Sequence, residues 1–223
     1  LHASGAPVTV MARNARLAEL RDQGIRFSRG GATEVHRVRV VSPDDQLAPF
    51  AHVILCGKTP DLSGALAGLQ RWADHRPVVL TTQNGVDAPD QVAWALPLAV
   101  VGASRLHGFF ELDGGVVRHV GVPPSLAMGA WQADGEEPVQ KLGAILTRAG
   151  IPVTISSDIR VDLWSKQVLA GSMGGVGALL GLPAGGLRSD PDNWQLLRSA
   201  MEEIEAVGRG EGIALSRDIV AAT

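Results

Sequence analysis

At 223 residues, 45% hydrophobic and 19% charged, the chain has the composition of a folded globular protein. A chain of this size buries roughly 70% of the surface it would expose unfolded, so it needs neither disulfides nor a metal for stability. Its 20 Lys and Arg against 23 Asp and Glu leave a net charge of −3 without a basic block, which argues against nucleic acid or an anionic membrane as partner.

The first residues, LHASGAPVTV, have neither the charged nor the apolar stretch of a secretory leader, and a cytoplasmic protein is expected. They read as the end of one element and the start of a strand. APVTVMARN supplies that strand, and NARLAELRDQG follows as a helix, with Asn14 as N-cap, Leu17 and Leu20 at helical spacing, and Gly24 as the stop. After the turn-like SRGGAT, EVHRVRVV alternates with period two and predicts a half-exposed strand. HVILCGK reads as a buried strand with the lone cysteine, Cys56, as a small core residue; one cysteine excludes an intrachain disulfide. SGALAGLQRWAD predicts a helix and RPVVLTTQNG another buried strand. Near-continuous apolar strands alternating with helices indicate a mostly parallel sheet covered on both faces. Two strand-like runs around DGG then predict a hairpin. EEPVQKLGAILTRAG places Val139, Leu142, Ile145, Leu146 and Ala149 on one helical face, and IPVTISS is a last strand. From about Asp158 only helical patterns remain, including a stripe of Trp194, Leu197, Met201, Ile204 and Val207. Residues 1–157 therefore read as an α/β unit and 158–223 as an all-α unit. No apolar run approaches the roughly 20 residues of a spanning helix.

Four positions carry candidate chemistry. At the end of the strand VTVMARN, where dinucleotide-binding sheets meet the adenosine ribose, stands Arg13 with no acid beside it; it suits an extra phosphate, or is simply a solvated strand-end arginine. TTQNGVD puts Asn84 at the carboxyl end of a buried parallel strand, where open α/β sheets bind ligands, although Asn-Gly is also an ordinary turn. Lys58 ends the neighbouring strand. Lys166, in VDLWSKQVLAGSMGG, could serve as a general acid if burial lowers its pKa, but most helical lysines face solvent. The His residues are scattered, so no metal-ligand pattern appears, and there is no G-x-S-x-G or P-loop.

Taken together, VTVMAR, HVILCGKTPD, VVLTTQNGVD and DIRVDLWSKQVLAG resemble the ketopantoate reductase (2-dehydropantoate 2-reductase) family. The combination of a strand ending in Lys, a strand ending in Gln-Asn-Gly and a later Asp-x-x-x-x-x-Trp-x-Lys carries the resemblance over most of the chain. It implies a Rossmann-like NADPH-binding domain over 1–157 and a helical substrate-binding and dimerisation domain over 158–223, with a small 2-oxo acid reduced in the cleft between them. Arg13 would meet the cofactor's 2′-phosphate, Lys58 would lie along the cofactor, Asn84 would contact cofactor and substrate, and Lys166 would be the general acid.

The resemblance also implies a first strand and glycine-rich loop before Leu1, and further substrate-binding residues after Thr223. Within the chain, typical members follow the lysine with asparagines four and eight residues later, where this sequence has Ala170 and Gly174. At about 100° per residue these substrate-binding positions share one broad helix face with Lys166, so the face has lost its amides. Weaker recognition of ketopantoate and a roomier, less polar cleft are expected. Two alternatives remain: an inactive NADP-binding relative, and a dehydrogenase of a related fold acting on another hydroxy acid. The apolar stripes of the helical part would serve an internal core or a homodimer.

Overall fold

The computed structural model describes residues 1–222. Strands β1 (Thr9–Met11), β2 (Ile25–Arg29), β3 (Ala32–His36), β4 (Arg39–Val41), β5 (His52–Leu55), β6 (Val78–Thr81), β7 (Val100–Asp113), β8 (Val116–Ala130) and β9 (Val153–Ile155) alternate with helices α1 (Asn14–Gln23), α2 (Leu62–Leu69), α3 (Ala88–Ala95) and α4 (Glu136–Arg148). Three helices complete the chain: α5 (Ile159–Leu180), α6 (Ala184–Ser189) and α7 (Pro191–Gly210). A seven-stranded sheet runs β3-β2-β8-β7-β6-β5, with β9 also paired to β8. Its pairs are parallel except β7/β8 and β2/β3. Separately, β1 pairs in parallel with β4. The expected architecture, a Rossmann-like, mostly parallel sheet followed by helices, is the observed one.

Burial on both faces explains the apolar runs. All four residues of β6 are buried, and alternate ones point to opposite sides. Val79 joins Leu62, Leu66 and Val92 on the α2/α3 side, while Val78 and Leu80 join Val139, Leu142 and Leu146 of α4 on the other. The β7/β8 hairpin closes at Gly114 and Gly115, whose φ angles of 52° and 78° match a two-residue primed turn that glycine accepts without strain.

Several elements differ from the sequence reading. The run EVHRVRVV is two strands: β3 pairs antiparallel with β2, and β4 pairs parallel with β1 in another sheet. Alternation reveals a half-exposed strand but not its partner, and β2, whose only large apolar residues are Ile25 and Phe27, carries too weak a pattern to stand out. Asn14 is not the N-cap of α1; Arg13 takes that position and Asn14 opens the helix at φ 52°, a left-handed conformation that asparagine tolerates better than most residues. Cys56 is exposed, because β5 ends at Leu55 and the cysteine falls in the loop beyond.

Helix α5 starts where Asp158 accepts hydrogen bonds from the backbone N–H of Arg160 (3.0 Å) and Val161 (3.4 Å), and ends at Gly181 in the left-handed region. Its first turns belong to the sheet: Ile159 and Leu163 pack in the cluster that holds Leu55 and Val79. Arg160 stacks on Trp131, whose Nε1 donates to Asp90 of α3 at 2.6 Å. Its later turns belong to the helical part, where Val168 and Val176 pack with Leu197 and Met201 of α7. Trp164 lies against Gly208 of α7, where a Cβ would come within 2.9 Å of the indole. Among the described residues no helix is long and apolar enough to cross a membrane, and no group of His, Cys, Asp and Glu is placed to hold a metal ion.

Leu163→Ala removes the contact by which α5 is seated on the sheet and leaves a cavity. It is expected to cost about 2–5 kcal/mol of stability, measured by denaturant unfolding.

Candidate active site

The carboxyl ends of β5 and β6 and the middle of β7 come together beside α5. The Lys166 ammonium donates to Asn84 Oδ1 at 2.7 Å and to the Leu106 carbonyl at 3.0 Å. Since an ammonium has no acceptor, the Asn84 amide must turn its oxygen toward it. Both partners are neutral, so the lysine charge is held in place without being cancelled. Burial of the ammonium, and next the nearby Arg105 guanidinium, lower the Lys166 pKa below its ordinary value. Two of the three N–H groups are committed, and the third remains for another oxygen.

The loop carrying Asn84 is fixed from below. Gln83, almost fully buried, donates from Nε2 to the Leu55 carbonyl at 2.9 Å and the Gly57 carbonyl at 2.8 Å. Thr82 Oγ1 also donates to Leu55 O at 2.8 Å, and Thr59 Oγ1 donates to Asn84 O at 3.1 Å. The loops after β5 and β6 are thus stitched together, which satisfies backbone carbonyls that the strands leave unpaired. Beyond β6, Ser104 of β7 is buried and donates to Thr81 O at 2.8 Å. Gln83, Ser104, Lys166 and Ala170 border one narrow cleft.

The structure brings Lys166, Asn84 and Ala170 together at this cleft. Gly174 lies one turn further along α5, where a Cβ would meet nothing within 4 Å. Lys58 is exposed at the same edge of the sheet, at the start of the turn Thr59–Asp61, and its side chain makes no hydrogen bond or ion pair among the described residues. Arg13 sits at the carboxyl end of β1, away from Lys166. Its guanidinium lies 4.0 Å from Asp61 Oδ1, both side chains being well exposed, and rests on Gly64 of α2, where a Cβ would come within 2.4 Å of Nη1. Sequence reasoning missed the stitching by Gln83, the carbonyl of Leu106, and Arg105 with its partner Asp162. Only Gln83 carried a signal, as part of the Gln-Asn-Gly motif.

The ketopantoate reductase PanE/ApbA family model matches residues 1–133, and the model for the C-terminal part of the same family matches residues 158–223. The chain belongs to the ketopantoate reductase family. A 2-dehydropantoate 2-reductase from Mesorhizobium japonicum is 25% identical, over 92% of this chain and 69% of its own. One from Streptococcus pyogenes serotype M1 is 20% identical, over 85% of this chain and 62% of its own, so the chain spans less than two thirds of that relative. Among solved structures, the PanE/ApbA family ketopantoate reductase from Ralstonia eutropha superposes with a TM-score of 0.85 at 28% identity, covering 99% of this chain and 72% of that one. A D-mandelate dehydrogenase in a ternary complex with NADH and anilino(oxo)acetate gives 0.89 at 20% identity with the same coverage, a likeness of fold. The family is one of oxidoreductases.

Proposed function

We propose that the protein reduces the ketone of a small 2-oxo acid with NADPH, residues 1–157 holding the cofactor and 158–223 closing the substrate side. The observation that carries this reading is the Lys166 ammonium, anchored by two neutral oxygens and left with one free N–H at the carboxyl edge of the sheet. A ketone oxygen placed on that N–H gains a donor exactly where negative charge builds up during reduction. The nicotinamide, when bound, supplies the hydride to the carbonyl carbon. Lys166 stabilises the oxygen as it becomes an alkoxide and hands it a proton, a transfer eased by the lowered pKa. Asn84 keeps the ammonium aimed, and the loops stitched by Gln83 keep Asn84 in place.

The residues present fit the cofactor. Gly57 and Gly85 in the loops after β5 and β6 leave the backbone open to close approach, with Lys58 beside them. Arg13 is a cation at the end of β1, loosely paired to an exposed aspartate and cradled by the bare Gly64, a setting that suits a phosphate on the adenosine ribose. Both β1 and β5 keep one edge unpaired among the described residues, a place that the strand with the glycine-rich turn, implied before Leu1 by the resemblance, would fill. Arg13→Ala is expected to weaken NADPH binding by about 10- to 100-fold while leaving NADH binding nearly unchanged, as read by fluorescence titration of each cofactor. Equal losses for both would remove Arg13 from phosphate recognition.

Replacing Lys166 by Ala should lower kcat by about 10²- to 10⁴-fold with little change in NADPH affinity. Unaltered turnover would remove the lysine from the mechanism.

The substrate side favours an acid with a larger apolar group than ketopantoate offers, because Ala170 borders the cleft and the position of Gly174 is empty of side chain. In an NADPH oxidation assay across 2-oxo acids, branched or aromatic members should exceed ketopantoate in kcat/KM. A clear preference for ketopantoate would contradict this assignment.

A further inference from the structure

A 2-oxo acid brings a carboxylate into the cleft next to the ketone, and the helix face after Lys166 has nothing to receive it. Ala170 and Gly174 offer no polar atom, and the remaining N–H of Lys166 is taken by the ketone oxygen in the reading above. A second cation stands close by. Arg105 immediately precedes Leu106, whose carbonyl anchors Lys166. The guanidinium lies along α5 beside Asp162, one turn before Lys166 on the same helix face.

Arg105 is held but not satisfied. Its Nε is 3.3 Å from Asp162 Oδ1, near enough for attraction, yet this buried nitrogen has no hydrogen-bond partner. The other Asp162 oxygen is occupied by Ser156 Oγ at 2.5 Å. None of the five N–H groups of the guanidinium donates a hydrogen bond among the described residues, although 38% of the side chain is open to solvent. A planar fork of unused donors matches the two oxygens of a carboxylate. Its charge already acts on Lys166, and an anion between the two cations would relieve their repulsion.

We propose that Arg105 binds the substrate carboxylate and so determines the preference for acids, with Asp162 and Ser156 holding the guanidinium in position. The proposal rests on reading the cleft as that of a 2-oxo acid reductase, and it adds a residue that the motifs did not single out. Polar recognition has moved from the helix face that lost its amides to the strand across from it.

The test compares an acid with its neutral counterpart, 2-oxo-3-phenylpropanoate with 2-oxo-3-phenylpropanamide, in wild type and Arg105→Gln, using the full chain and NADPH. Both ketones depend on Lys166, so any effect of the substitution on the lysine or on overall folding cancels in the ratio of the two kcat/KM values. Loss of a charge-assisted pair should lower the acid-to-amide ratio by about 10- to 100-fold; an unchanged ratio overturns the proposal. Should Arg105→Gln not fold, Arg105→Lys keeps a cation against Asp162 but loses the fork, and the same ratio decides. If the wild type reduces neither ketone, the proposed activity fails by itself. Affinity of the acid for the NADPH-loaded protein, followed by tryptophan fluorescence, then decides on Arg105. Weaker acid binding in the variant with amide binding less affected supports the proposal, and equal acid binding overturns it.

Discussion

The site depends on one helix belonging to two cores. Leu163 of α5 is buried in the sheet cluster and Val168 in the helical cluster, and Lys166 lies between them. Close-packed interiors resist displacement of even a methylene group, so two such anchors fix the rotation and height of the helix more tightly than a surface contact could. The lysine side chain then has only to span the gap to Asn84 and Leu106. Precise placement of an ammonium is thus supplied by apolar packing on either side of it.

The electrostatics follow from what the ammonium touches. Had a carboxylate been its partner, the charge would be neutralised and the proton held more firmly. Instead an amide oxygen and a backbone carbonyl hold it, and the nearest ionic pair, Arg105 with Asp162, sets a cation beside it. Burial and like charge act in the same direction on the lysine. Gln83 and Thr82 perform the complementary task on the opposite wall, converting two strand ends into a rigid ledge. Binding groups that are fixed beforehand need no reorganisation as charge develops.

Much of this was legible in the sequence, for identifiable reasons. The central strands are buried on both faces and so read as unbroken apolar runs, the primed turn demanded its glycines, and α4 displayed its stripe. Asn84 stood out because it follows a strong apolar strand and Lys166 because of its place in the family motif, and they prove to be in contact although 82 positions apart. What could not be read is pairing. The two strands inside EVHRVRVV look like one because alternation is blind to the neighbouring strand. Cys56 looked buried because an apolar run does not mark the residue at which its strand stops. Arg105 and Asp162 are ordinary charged residues until the fold sets them side by side, and the carbonyl of Leu106 has no signature at all. Ala170 and Gly174 were informative only against a family pattern, as missing groups on a helix face.

The central proposal is that Lys166, a half-buried and unneutralised ammonium, gives up its proton during reduction. Its titration can be followed directly by NMR of ¹⁵N-labelled lysine side chains, with Lys166→Arg assigning the signal, alongside the pH dependence of NADPH oxidation with a 2-oxo acid. Reduction requires the protonated form, so activity should be full at low pH and lost as pH rises through the lysine's pKa. This pKa should lie below the ordinary lysine value and coincide with the fall in turnover. A Lys166 signal titrating like a solvent-exposed lysine, or turnover that persists after the signal has lost its proton, would contradict it.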